Sequence, residues 1–392
     1  MSSLNLELSD EQRLLIGNVR RFVREEITPL ESELDPDAFE LPQPEMERLV
    51  GMTREMGMFR MGAPVEDGGG GLDVTTLALL HEEMSQHRAG LYAPCYGAFG
   101  GGGIGQLADA KEEVREKYAG RSGFFALSEP SGGSDPARAI RTTAVRDGDD
   151  WILNGSKLWI SGADSAEFGV VFARTDAAAG RAGITAFIVD TDSPGFEVRR
   201  IVHVLRSTGY PTELTLDDVR VPGSNVLGDV GGGFSLANQR LSTGRIPYSA
   251  ECVGVAVAAQ RMAISYSKQR ETFGAPLSDR QAIQWMLVEN ETEIRTSRWL
   301  TLAAAQKADA GKPFRFEAAM AKVTSTESAG RVVDRAIQIH GALGVSKDLP
   351  LERWYRELRI RRIGEGPTEV QRIIMARDLI SGDAVPELPI GA

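Results

Sequence analysis

Cysteine and histidine are scarce in this chain, two and four among 392 residues. Cys95 and Cys252 stand far apart, so no disulfide framework is expected and a reducing compartment fits. His81-Glu82-Glu83-Met84-Ser85-Gln86-His87 has the look of a zinc-binding helix, but its histidines are six apart rather than four and do not share a face, so no metal is expected. No apolar run approaches membrane-spanning length, so no membrane insertion is expected. Residues 1–10 hold neither a signal-peptide core nor an Arg-rich leader, and a cytoplasmic location is the expectation. Positive charge is in deficit: 44 Lys and Arg against 55 Asp and Glu give a net charge of -11, which argues against a nucleic-acid partner.

What is present is an ordinary globular composition, with length for two or three domains. Ser9-Asp10-Glu11-Gln12 has the form of a capping box. Leu15, Val19, Phe22, Val23 and Ile27 follow at helical spacing, and Pro29 marks the expected stop. Pro44 to Met58 and Val74 to Ser85 read as helices around a Glu66–Leu72 loop. From Gly123 the texture becomes β-rich, with short runs at 124–127, 142–146, 151–153, 170–173, 184–189, 196–199 and 213–221. The pairs Asp147-Gly148, Asn154-Gly155 and Pro194-Gly195 are turn signals between them. After Gly231-Gly232-Gly233 the helical period returns at 253–269, 281–307, 317–343 and 368–380, and long antiparallel helices argue a four-helix bundle. The expected fold is α+β: an N-terminal all-α domain over 1–121, a middle antiparallel β-domain over 122–232 and a C-terminal helical bundle over 233–392.

Three segments carry the chemistry. Ile363-Gly364-Glu365-Gly366-Pro367-Thr368 puts one carboxylate between two glycines just before a helix, where a ligand can approach closely. Ala126-Leu127-Ser128-Glu129-Pro130-Ser131-Gly132-Gly133-Ser134-Asp135 is followed by Gly155-Ser156-Lys157-Leu158-Trp159-Ile160-Ser161-Gly162. Gln338-Ile339-His340-Gly341-Ala342-Leu343-Gly344-Val345 precedes Asp348 and Arg353. With Arg270-Glu271-Thr272-Phe273-Gly274 between them, this set resembles the acyl-CoA dehydrogenase family of FAD flavoproteins, over about Leu8 to Ile380.

The resemblance implies that Glu365 is the base that takes the α-proton of an acyl-CoA thioester, with the flavin accepting the β-hydride. Such a carboxylate suits the role if burial raises its pKa. Arg245 matches an arginine near the reacting centre, and Gly244 stands where some members place an alternative Glu. Phe125, Leu127, Ser128, Gly133, Ser134, Trp159 and Ser161 would seat the flavin, with Trp159 covering a ring face. Arg270, Thr272, Phe273, Gln281, Gln338 and Gly341 would take the adenine end, with Arg270 reaching the FAD of a neighbouring subunit. Ser134, Arg245 and Gly364 would line the substrate. Gly364, where straight-chain members often have Tyr and branched-chain members can have Gly, leans the expected substrate, a short or medium acyl-CoA, toward a branched or otherwise bulky short acyl group, although a neighbouring side chain can refill such space.

Arg138, Ala342 and Pro367 depart from the family pattern. The resemblance further implies a homotetramer that passes electrons to electron-transfer flavoprotein. The alternatives are an oxidase, an enoyl-CoA reductase or a flavin monooxygenase of the same fold, and, in another class, a flavin-free acyl-CoA-binding paralogue. Gly100, Gly102 and Gly105 spell GxGxxG but follow no strand of a βαβ unit, so they are not read as a nicotinamide site. Arg356, Arg359, Arg361 and Arg362 read as a solvated or interfacial helix face, or as help with phosphates.

Overall fold

The computed structural model describes residues 7–65, 68–100, 107, 110–118, 120–206 and 209–385. Gly102 and Gly105 of the glycine cluster, and Glu66 and Asp67 of the first loop, lie outside them. The chain forms two compact units, one of Met1–Gly100 with Ser242–Ala392, the other of Gly101–Leu241.

In the first unit, α1 (Asp10–Phe22) opens on a reciprocal capping box, with the Ser9 hydroxyl accepting from Gln12 N–H and the Gln12 side chain accepting from Ser9 N–H. Pro29 does not stop the helix. A wide π-turn over Val23–Ile27 leads into α2 (Thr28–Glu33), where proline occupies the first turn and its missing N–H costs nothing. Next come α3 (Gln43–Glu55) and α4 (Val74–Met84), the latter capped by the Asp73 carboxylate on Thr76 N–H at 2.6 Å. Val19, Phe22, Ile27, Leu49, Leu80 and Cys95 pack together as their core.

The second unit holds α5 (Glu112–Tyr118), the one-turn α6 (Pro136–Ala139) and an eight-stranded sheet. Its strands are β1 (Gly123–Ala126), β2 (Thr143–Asp147), β3 (Asp150–Ser161), β4 (Phe168–Arg174), β5 (Ile184–Asp190), β6 (Phe196–Ile201), β7 (Pro211–Pro222) and β8 (Val226–Leu227). The order is β6-β7-β3-β2-β4-β5-β8, with β1 beside β4. The pairing is antiparallel except where β4 meets β1 and β2. β4 and β5 are nearly continuous in apolar residues because both faces are covered: Val171, Ala173, Phe187 and Val189 enter one core, Val170, Phe172, Ala186 and Ile188 the other.

Asn154-Gly155 is not a turn. β3 runs through it with a bulge, because Asn154 exchanges two 2.8 Å hydrogen bonds with Asp218 on β7. A Cβ on Gly155 would come within 2.5 Å of the Thr142 hydroxyl.

The chain returns to the first unit along α7 (Gly233–Gln269), which starts twenty residues earlier than its apolar period suggests and runs through Pro247. A hairpin of β9 (Glu271–Thr272) and β10 (Ala275–Pro276) follows, then α8 (Gln281–Asp309), α9 (Arg315–His340), α10 (Leu351–Arg361) and α11 (Thr368–Ser381). The segment past His340, Gly341–Val345, is a separate 3₁₀ turn rather than the end of α9. α8, α10 and α11 all pack on α9.

Candidate active site

Glu365 has φ 54, a left-handed conformation costing a residue with a side chain about 1–2 kcal/mol. Such strain persists only where the surroundings fix it. Here they do so through the carbonyls, which face inward. Arg245 Nε donates to the Glu365 carbonyl at 3.3 Å, Lys322 Nζ donates to the carbonyls of Arg362 and Gly366 at 3.1 and 2.9 Å, and Gln371 Nε2 donates to the latter at 3.1 Å. Thr368 N–H closes the loop on the Arg362 carbonyl at 3.0 Å. The Glu365 side chain is therefore exposed within the single chain, not buried, and its own N–H meets no partner among the described residues.

Arg245 is buried, which lowers its pKa to about 10, with Glu365 opposing that shift and Arg315 adding to it. Burial likewise lowers Lys322 to about 8. Sequence reasoning missed Lys322. The available signal was a charge set among Ala318, Ala319, Ala321 and Val323, all buried on α9.

Tyr248 was also missed. Its hydroxyl, which donates to the Arg361 carbonyl at 3.3 Å, lies 2.8 Å from where a Cβ on Gly364 would stand. The room inferred beside Gly364 is thus partly refilled. A Cβ on Gly244 would meet nothing within 4 Å. The basic run is solvated only in part: Arg359 is exposed, whereas the Arg361 guanidinium covers the Tyr248 ring at 3.9 Å and pairs with Glu251 at 2.6 Å, and Arg356 pairs with Glu352 and Asp37. Arg353 is buried against Glu357 and donates to the carbonyls of Pro36 and Ala38.

In the second unit, Leu158 N–H donates to the Ser128 carbonyl at 3.0 Å, which ties the loop after β1 to β3 beside Trp159. Trp159 has φ 67 at a second bulge and is 55% exposed, a large flat apolar surface turned out of the sheet. Ser161 is exposed two residues on. Gly133 stands so close to Ser128 that a Cβ would lie 3.2 Å from the hydroxyl. Ser134 is exposed, Leu127 is buried, and Phe125 is half-buried against Phe172 with the Arg240 guanidinium over its ring. An uncovered indole next to a hydroxyl-rimmed loop fits a planar, hydrogen-bonding ring system. Arg138, the departure from pattern, is exposed and pairs with Asp135.

The remaining residues lie in the first unit. Arg270 N–H and carbonyl bond Tyr266 and Leu277, which fixes the hairpin's base, and Phe273 at its tip is fully exposed with φ 50. Arg280 donates to the Thr272 carbonyl. Gln281, Gln338 and Gly341 are exposed. The His340 ring stacks on Tyr266 at 4.5 Å, which sets the α9 end beside the helix that leads to Arg270.

Family models match almost the whole chain: acyl-CoA dehydrogenase N-terminal domain over 9–122, middle domain over 124–219 and C-terminal domain over 231–380. The human mitochondrial short-chain specific acyl-CoA dehydrogenase is 37% identical over 385 residues, 96% of this chain and 92% of that protein. A 3-(aryl)acrylate reductase of Clostridium sporogenes is 38% identical over 94% of this chain and 99% of its own. Butyryl-CoA dehydrogenase from Megasphaera elsdenii superposes with a TM-score of 0.83 at 32% identity, covering 96% of this chain and all of that one.

Proposed function

Because the chain belongs to the acyl-CoA dehydrogenase family of FAD-dependent flavoenzymes, we propose that it desaturates a short acyl-CoA at Cα–Cβ with Glu365 as the base. The observation that carries this reading is the orientation of residue 365. Its carbonyl is held inward by Arg245, its side chain is exposed, and its N–H is left without a partner among the described residues. One residue can then remove the α-proton and donate to the thioester oxygen as negative charge develops there. Arg245 holds that backbone and adds positive charge behind it. Trp159, Ser128, Ser161, Gly133 and Phe125 would hold the isoalloxazine, and Arg270, Thr272, Phe273, Gln281, Gln338 and Gly341 the adenine end. The bound flavin supplies the acceptor for the β-hydride. Ser134 and Gly364 would line the path of the substrate.

The acceptor proposed is electron-transfer flavoprotein, the assembly a homotetramer and the compartment the cytoplasm. The similarity to a 3-(aryl)acrylate reductase supports a second reading, reduction of an enoyl-CoA. Anaerobic titration with a panel of acyl-CoAs, read by flavin absorbance, tests the first. Bleaching by saturated short-chain esters is expected, and in Glu365→Gln the ester should still bind while the reduction rate falls about 10²–10⁴-fold. Full turnover in that variant removes Glu365 from the role. Failure of every saturated ester, with oxidation of reduced flavin by an enoyl ester, shifts the assignment to the reductase.

A further inference from the structure

We propose that Lys322 is a positioning residue, whose ammonium ties together the two ends of the loop that presents Glu365. This rests on Glu365 as the base. The two acceptors of Lys322, the carbonyls of Arg362 and Gly366, bracket Glu365 on both sides, at 3.1 and 2.9 Å. Lys322 is fully buried, and both acceptors are neutral. An aliphatic side chain of the same length would occupy this place without the cost of removing an ammonium from water. The benefit of the charge therefore lies in what it holds: two carbonyls turned in from a loop whose central residue has φ 54.

The rest of the lattice is weaker and one-sided. Among the described residues, Arg245 reaches the Glu365 carbonyl and Gln371 that of Gly366, one loop carbonyl each. Beyond the Thr368–Arg362 backbone bond, Lys322 is the side chain that joins the α10 end of the loop to the α11 end among the described residues, and it does so from a third helix, α9. Without it the Arg362 carbonyl keeps Thr368 N–H and the Gly366 carbonyl keeps Gln371, so the fold should survive while the loop loosens.

The test uses the full-length flavoprotein with Lys322→Met and Lys322→Arg. In Lys322→Met, kcat should fall about 10–100-fold, the scale expected for a base displaced by about 1 Å, with KM and acyl-CoA dissociation changed less than about threefold. Hydrogen exchange of the hydrogen-bonded Ile363, Gly364 and Thr368 amides should quicken at least about tenfold, with α9 and the rest of α11 still protected. Lys322→Arg, which keeps a cation and two donors, should recover most of both. Unchanged loop exchange with kcat within about threefold of the parent overturns the proposal. So does a loss confined to thermal stability and FAD content, or quickened exchange throughout α9. The exchange measurement does not depend on chemistry, so an active Glu365→Gln would refute the base while Lys322→Met still judged the tie.

Discussion

The ammonium of Lys157 and the carboxylate of Glu129 meet at 2.8 Å with both side chains out of water. Glu129 also accepts from the N–H groups of Arg141 and Thr142 and from the Thr142 hydroxyl, while Lys157 donates to the Phe172 carbonyl at 2.6 Å. Burial lowers Lys157 to about 8, against the pull of Glu129. Burial raises Glu129, but Lys157 and the hydrogen bonds outweigh it and leave the carboxyl below its ordinary value. The pair locks the loop of Ser128 and Gly133 onto the strand that bears Trp159.

Lys157→Met should leave that carboxylate buried and unpaired, at a cost of about 3–5 kcal/mol in urea unfolding. The flavin should bind more weakly in step. Adding Glu129→Gln should return much of the stability, as a double-mutant cycle would record.

A second carboxylate sets the behaviour in acid. Glu31 accepts from His87 Nδ1, Tyr96 Oη and the N–H groups of Arg88 and Ala89. Burial pushes this carboxyl up, but the imidazole and the other donors outweigh it and hold it at about 2. A depressed carboxyl binds fewer protons folded than unfolded, so its contribution is complete above about pH 4.5 and is lost as pH falls toward about 2. Glu31→Gln should cost about 2–3 kcal/mol at pH 7 and flatten the fall in stability over that acid window, as thermal melts at stepped pH would show.

Shape selection near the base is predicted to run through Tyr248. Gly364→Ala should press on its hydroxyl and lower kcat/KM about tenfold for a straight short acyl-CoA, with Tyr248→Phe restoring most of it. Tyr248→Ala should raise the branched-to-straight ratio of kcat/KM by about tenfold. An unchanged ratio would place the selective wall elsewhere, the open side of Gly244 being the next place to probe.

The helix, sheet and helix succession was legible because the apolar pattern changes from helical spacing to short β-rich runs and back, down to β4 and β5, whose unbroken apolar runs mark strands covered on both faces. What misled were local signals overruled by tertiary partners. Asn154-Gly155 reads as a turn until Asp218 is seen to take the asparagine's amide, and Pro29 reads as a stop until the wide turn before it removes the need for its N–H. Glu365 and Trp159 were singled out because the motifs around them resemble the family's, not because either residue is telling alone. Lys322 and Tyr248 were not, because their importance depends on carbonyls and a missing Cβ that come from elsewhere in the chain.

The wide turn at Val23–Ile27 has one more effect, on angular phase. In an ordinary α-helix each step of four residues overshoots a full turn by about 40°, so the line through Val23, Ile27 and Glu31 would slew by about 80°. A π-turn holds more residues per revolution and cancels much of that drift, which keeps Glu31 on the side that meets His87. If the same five residues were wound as ordinary α-helix, α2 would turn further by most of one residue step of about 100° and swing the carboxylate away from its four donors. Five residues with no chemistry of their own thus act as the timing mark that brings a buried acid to its partners.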